Sequence, residues 1–496
     1  MRFLRTRRDS DRYKWWVLSC TSLGMLLATL NSGTLIIALP DLERSLNTSL
    51  LQLVWVILVY MIVSTVLVLT AGRLSDLFGR KSAFVLGFLV FAAASLGAGF
   101  SHSGTELILW RVAQGIGGAF LFANAAALVT DAFPKKELGL AMGTNTMVAA
   151  VGLVIGPVLG GALVAIEWPW VFWFNVPFGL VGAVWGWLVL HEQSGRSNER
   201  GLDLIGVTTY VLGLTGLVLA LSKGGLSGWH NTMVYVGFAA AIIFLPVFVL
   251  IERHGRAPML DLSLFSDRLF TAASVAAFLN GLSRFALMFL FVFYFQGPQG
   301  ASPIMAGLML APMAIGMLVA SPIAGVIADR HGSRGLAALG MLVGALGLAG
   351  MTTLEAHTAY VWSALWLLLV GVGSGMFNSP NTAAMMGVVA PDRRGIAAGA
   401  RVMLQNTGAV ISIAFVIAIL TAAVPKTVMF KIFSGLASGL SSSKLDPFIQ
   451  NMHLALWVLA AVSLVGAGIS LLGAVVSPLR PAHVPHVSHE ELLEAA

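Results

Sequence analysis

The 496-residue chain has a single cysteine, Cys20, so no intramolecular disulfide can form. Charge is scarce as well: 10% of residues are Asp, Glu, Lys or Arg, against 57% hydrophobic. A soluble chain carries about a quarter charged residues, because its outer surface must face water. The shortage excludes a water-facing globule of this length. Short alternating segments do not dominate either, which argues against a β-barrel. None of the 22 acidic residues lies near the centre of a long apolar run, and all ten histidines lie in loops or at run ends. No His/acid or metal cluster for an enzyme at a membrane face is visible. Neither a metal nor a cofactor is expected.

What is present is apolar length. Runs of about 20 residues, enough to cross the hydrocarbon as helix, recur from Trp15 to Pro478. Lipid offers backbone groups no partner, so such runs are helical. The 54 glycines suit close helix contacts in a bilayer. The predicted spans are 15–39, 50–71, 82–100, 105–130, 139–165, 170–190, 204–222, 232–251, 271–295, 303–328, 335–353, 358–390, 396–423 and 453–477.

The net charge of +7 suggests nucleic acid until its distribution is followed. Met1 to Lys14 holds Arg2, Arg5, Arg7, Arg8, Arg12 and Lys14. The apolar run behind them is too long for a signal peptide and lacks a small-residue cleavage site. The start reads as a cytoplasmic anchor. With it inside, the inner segments hold 22 of the 29 cations and the outer segments 5, namely Arg44, Lys223, Lys426, Lys431 and Lys444. The other two, Arg111 and Arg284, fall within spans. Such a bias sets orientation, and an even span count returns the C-terminus to the same side. The cations are scattered over many short loops, so no nucleic-acid partner is expected.

The organisation that follows is a basic cytoplasmic N-terminus at 1–14, a six-helix bundle at 15–190, two inserted helices at 204–251 and a second six-helix bundle at 271–477. The outer loop 424–452 either folds as a small cap or stays mobile. A cytoplasmic tail covers 478–496. The bundles carry an internal repeat. Ala71-Gly72-Arg73-Leu74-Ser75-Asp76-Leu77-Phe78-Gly79-Arg80-Lys81 matches Ala324-Gly325-Val326-Ile327-Ala328-Asp329-Arg330-His331-Gly332-Ser333-Arg334 at Ala, both Gly and Asp, and both end in a cation. Pro134-Lys135-Lys136-Glu137-Leu138-Gly139 resembles Pro391-Asp392-Arg393-Arg394-Gly395 at a similar offset.

These residues resemble the major facilitator superfamily, specifically its fourteen-span drug:proton antiporter branch, from about Trp15 to Pro478. Gly72 to Lys81 is similar to the superfamily's loop motif between spans two and three. Arg111-Val112-Ala113-Gln114-Gly115-Ile116-Gly117-Gly118 is similar to the motif of span four. Gly152-Leu153-Val154-Ile155-Gly156-Pro157-Val158-Leu159-Gly160-Gly161 resembles the antiporter-type motif of span five. Trp168-Pro169-Trp170-Val171-Phe172-Trp173-Phe174-Asn175-Val176-Pro177-Phe178-Gly179 resembles the start of span six. The resemblance implies an all-α membrane protein with the major facilitator fold, two six-helix bundles plus two inserted helices, in a bacterial-type inner membrane.

Each motif has a physical reading and a plainer alternative. The resemblance implies that the loop motif latches the two halves on the cytoplasmic side. Its residues would be Gly72, Asp76, Gly79, Arg80 and Lys81, with Gly325, Asp329, Gly332 and Arg334 in the repeat. The alternative is anchoring at an anionic surface. Gly152, Gly156 and Gly160, with Pro157 and Gly161, form a smooth stripe that is either a hinge or seal between halves or ordinary small-residue packing. Arg111 inside a span costs at least ~2.5 kcal/mol unless it faces protein or water. The resemblance implies proton or substrate coupling there, and Gln114 lies one turn away; a clamp by backbone carbonyls is the alternative. Arg284, with Asn280 one turn before it, would hold an anionic substrate group or make a structural pair.

The first span departs from the branch's pattern. Where that pattern has Leu-Asp-x-Thr, the chain reads Leu30-Asn31-Ser32-Gly33-Thr34. The aspartate that the branch is thought to protonate is replaced by an amide, which does not titrate. Edge acids remain, and Glu106 is the candidate for coupling. The expected cavity is weakly polar, with Asn31, Thr34, Trp55, Tyr60, Asn175, Asn280, Arg284 and Asn378. It lacks fixed negative charge, which points to neutral, amphipathic or anionic substrates. The leading function is export of small molecules by alternating access, with protons as the candidate coupling ion. The second is lipid or metabolite translocation without the usual proton site. The expected partners are a small-molecule substrate and the lipid bilayer, with the protein a monomer.

Overall fold

The computed structural model describes residues 12–134, 137–192, 203–255, 259–389, 394–422, 424–433 and 442–475. The expected anchor (apart from its last residues) and the expected tail lie outside these residues. Among those described, all regular structure is helical. The first half comprises α1 (Tyr13–Leu46), α2 (Leu50–Phe78), α3 (Arg80–Gly99), α4 (Gly104–Ala132), α5 (Leu138–Val164), α6 (Trp170–Trp173) and α7 (Asn175–Val189). Two further helices follow, α8 (Leu204–Ser227) and α9 (Thr232–His254). The second half comprises α10 (Arg268–Gln296), α11 (Pro303–Met309), α12 (Ala311–His331), α13 (Ser333–Gly350), α14 (Tyr360–Gly387), α15 (Arg394–Ala422), α16 (Lys426–Phe433) and α17 (Ser442–Val475). Thirteen helical stretches among the described residues are long and apolar enough to cross a membrane. The 27-residue α5 completes fourteen.

Local chemistry sets the helix ends. Ser49 and Gln52 form a reciprocal capping box at the start of α2. Asp267 accepts from the Leu269 and Phe270 amides at the start of α10. The sixth and tenth spans are each broken once. At the α6–α7 break, Asn175 Nδ2 donates to the Val171 and Phe172 carbonyls. At the α11–α12 break, Pro312 sits in the first turn of α12, where its missing N–H costs nothing.

The two halves repeat their packing. In the first, α1 packs on α5, α2 on α4, α3 on α4 and α3 on α7; in the second, α10 packs on α15, α12 on α14, α13 on α14 and α13 on α17. The repeat extends to the backbone. Gly79 has φ 104° and ψ 132°, and Gly332 has φ 91° and ψ 147°. Both lie in the left-handed region that only glycine occupies without strain, and both end one span and open the next. By helix alternation the two turns lie on one membrane face, called here the motif face.

The inserted pair lies beside the seam between halves. α8 packs on α9, α15 and α2, and the Tyr210 hydroxyl is hydrogen-bonded to Thr407 of α15. Large apolar side chains such as Leu86, Val184, Trp187, Ile242 and Val361 stay exposed around the outside, as a lipid-facing surface requires.

Three expectations need correction. α1 does not end at residue 39; it continues through Pro40 to Leu46, because Leu42 and Glu43 are buried and hold the extra turns in place. The last span begins at Ser442 rather than 453, because Leu445, Phe448, Ile449 and Met452 form a buried stripe at helical spacing. Within loop 424–452, residues 426–433 are helix α16 and 442–452 belong to α17, while 434–441 lie outside the described residues. Arg401, counted among the inner-segment cations although it falls within the predicted span 396–423, is not a loop cation. It stands inside α15, about two turns beyond Arg394.

Candidate substrate and coupling site

A chain of buried polar side chains runs through the first half. Arg111, only 1% exposed, donates from Nε to the Val56 carbonyl at 2.9 Å and from Nη1 to Gln114 Oε1 at 2.5 Å. Its guanidinium stacks on the Tyr60 ring, 4.3 Å from the centroid. Gln114 Nε2 donates onward to Ser95 Oγ at 2.7 Å and to Asn31 Oδ1 at 3.1 Å. Tyr60 donates to the Ala28 carbonyl of α1. The set ties α1, α2, α3 and α4 together around one cation. Asn31 thus stands in the arginine's own network, with its Nδ2 unpartnered. An amide there passes on a hydrogen bond but no proton.

Glu106 is not part of this network. It lies in the first turn of α4, where its Oε2 accepts from the His102 amide and its own amide donates to Ser103 Oγ. Thr34 donates to the Asn31 carbonyl, and Asn175 closes the α6–α7 break. Trp55 is half-buried against the main core. Asn31, Thr34 and Asn175 are fully enclosed, so a ligand reaches them only if helices move.

The second half holds a separate cluster. Arg284 and Asn280 of α10 are buried, and Arg284 Nη1 donates to Met317 Sδ of α12 at 3.4 Å. Asn378 Oδ1 of α14 accepts from both Arg401 Nη2 and Gln405 Nε2 of α15, each at 3.1 Å. Arg401 was not singled out from the sequence. It follows Ala397-Ala398-Gly399-Ala400 just after Arg393 and Arg394, and so resembles the tail of a loop charge run. Glu252 was missed for the same reason. It is 3% exposed at the end of α9, accepts from the Leu260 amide at 2.8 Å and lies within charge range of Asp203 and Arg73.

The glycine stripe of α5 serves both halves. Gly156 and Gly160 face Gly33 and Thr34 of α1, so closely that a Cβ on Gly160 would lie 2.5 Å from the Thr34 carbonyl oxygen. Gly161 faces Pro303 and Ile304 of α11 across the seam; a Cβ there would stand 2.7 Å from the Ile304 backbone. Gly307 of α11 rests on the Pro157 and Val158 backbone. Gly152 meets Thr29 of α1. Toward the motif face, Gly399 of α15 touches Leu69 of α2, and Thr70 is bonded to Met259. The two halves therefore touch toward both faces.

In the loop motif, Arg80 pairs with Asp76 at 2.9 Å and with Asp131 of α4 at 2.6 Å. The Lys81 and Ser82 amides donate to Glu192. These bonds hold the turn within the first half. Gly72 and Gly325 lie on the last turns of α2 and α12, and the side chains of Asp329 and Arg334 lie outside the described residues.

A family profile described as Major Facilitator Superfamily matches residues 21–413 and 273–491. The chain is 30% identical to the riboflavin transporter RibZ of Clostridioides difficile, over 82% of this chain and 88% of that one. It is 30% identical to the tetracenomycin C resistance and export protein of Streptomyces glaucescens, over 79% and 73%. It is also 30% identical to the multidrug transporter protein MdtP of Bacillus subtilis, over 87% and 77%. Among solved structures, a bacterial homolog of the human lysosomal transporter Spinster, inward-facing and unoccupied, superposes with a TM-score of 0.65 at 16% identity, over 94% of this chain and 98% of that one.

Proposed function

The chain belongs to the major facilitator superfamily of membrane transporters, and on that premise we propose that it exports small amphipathic compounds from a bacterial-type cell by alternating access. The observation that carries this reading is the seam. Gly161 and Pro157 of one half meet Ile304 and Gly307 of the other backbone to backbone. Contacts without interposed side chains let two rigid bundles roll or part with few interlocks to break. The relatives named for drug resistance and multidrug transport support the same reading.

Orientation follows from charge. With Arg401 moved into α15, the inner-segment cations number 21 against 5 outside, a bias that supports cytoplasmic termini and a cytoplasmic motif face. Reporter fusions at the connections after Phe133 and at Gly332 test this; opposite sidedness at the two would break the topology.

The test of function is growth in a panel of toxic amphiphiles, with and without expression. Tolerance should rise for several compounds, and Gly307→Val, which drives a side chain into Pro157, should abolish the gain while the protein still reaches the membrane. No gain for any compound rejects export. A second reading is metabolite translocation without the branch's proton site. Asn31 favours it, as does the relative named for riboflavin. Riboflavin uptake or release by proteoliposomes without a pH gradient separates the two.

A further inference from the structure

Resting on the exporter reading, we infer that the second half holds an anion-binding site, formed by Arg284 and Arg401 with Asn280 and Asn378, that takes the carboxylate or sulfonate group of an amphipathic substrate. Three arginines stand inside the helical bundle, and one of them is a built-in control. Arg111 is satisfied by a carbonyl, an amide oxygen and an aromatic face. Arg284 is not. It is 7% exposed, and its one side-chain bond among the described residues goes to a thioether, a weak acceptor. Arg401 donates through Nη2 to Asn378 Oδ1, an acceptor it shares with Gln405, and its Nε is buried without a partner.

The two guanidinium groups lie within range of each other's charge. Among the described residues no carboxylate pairs with them: the ion pairs Lys14–Glu137, Arg44–Asp41, Arg80–Asp76 and Arg80–Asp131 all lie in the first half. Like charges in a low-dielectric interior call for a counter-charge. A planar oxyanion fits the guanidinium fork with paired hydrogen bonds. The fold brings the parts together. Gly281 lies against the Gln405 backbone and Gly408 against Phe278, so α10 and α15 cross at close range beside both cations. Asn378 of α14 and Met317 of α12 close the cluster from the other two sides. Arg401 keeps partial exposure, which leaves a way in. The first half offers Asn31 where an acid would attract cations, so the interior as a whole favours negative ligands.

The test uses the full-length protein in phosphatidylcholine nanodiscs and two fluorescent probes with the same aromatic body, 1-pyrenebutyrate and 1-pyrenebutanol. Binding should favour the butyrate by about tenfold, the worth of one charged hydrogen-bonded contact. Arg284→Gln and Arg401→Gln should each shrink that ratio toward one. Arg401→Lys, which keeps charge but loses the fork, should retain part of it. Equal affinities, no binding of either probe, or a ratio that survives in the double Gln variant would overturn the site. Repeating the titration with phosphatidylglycerol separates the sources of the anion. Persistence of the ratio supports a free substrate; its loss there assigns the cluster to lipid headgroups and overturns the substrate role. Export is read separately, as cellular efflux of both probes. Efflux of both without anion preference would sink this site alone, whereas efflux of neither, with no gain in the toxic-compound panel, would sink the exporter reading.

Discussion

Arg111 and Gln114, one turn apart on α4, are joined by a 2.5 Å hydrogen bond from guanidinium to amide oxygen, and that bond orients the amide so that its nitrogen reaches Asn31 and Ser95. A single side chain thus relays the buried cation of this network to the residue that replaces the branch's aspartate. Gln114→Leu removes three bonds and leaves part of a buried guanidinium unsatisfied. Stability should fall by about 1–3 kcal/mol, read as earlier thermal unfolding in detergent, whereas Gln114→Glu, which keeps the acceptor, should lose less. Unfolding of Gln114→Leu that matches the wild type would contradict the relay.

Asn31→Asp places a carboxylate within the same hydrogen-bond chain. Transport by this variant should become dependent on an imposed pH gradient, beyond any dependence of the wild type, because a titratable group then shares a site with Arg111. Glu106→Gln should behave like the wild type, since Glu106 is engaged by the His102 amide at the start of α4. Loss of gradient-driven transport in Glu106→Gln would instead restore Glu106 as the coupling acid.

The two motif glycines should differ. Both have a positive-φ extended backbone that costs a side chain about 1–3 kcal/mol. A Cβ on Gly79 would also strike the Glu192 carboxylate, while one on Gly332 meets nothing within 4 Å. Gly332→Ala should therefore lower stability by the backbone cost alone, and Gly79→Ala by more. Equal losses, or a larger loss at Gly332, would refute this assignment of the contacts.

The spans and the repeat were legible in the sequence because bilayer insertion writes long apolar runs, and because Gly79 and Gly332 answer the same backbone demand. Other features depend on partners far along the chain. Arg401 reads as a loop charge until α14 supplies Asn378. Glu252 reads as the end of a span until the turn at Leu260 folds back on it. The start of α17 was hidden for a different reason: Lys444 and Asp446 interrupt its apolar stripe, so a search for unbroken hydrophobicity passes over an amphipathic turn.

The most direct test of the two-bundle account measures both ends of the seam in one molecule. With Cys20, the one native thiol, replaced by alanine, spin labels at Ile166 and Met305 report the face opposite the motif loops. Labels at Phe78 and Ile396 report the motif face; all four side chains are exposed. As an exported compound is titrated in, double electron–electron resonance should show one distance lengthening while the other shortens. Distances that stay fixed, or that lengthen together, would contradict alternating access.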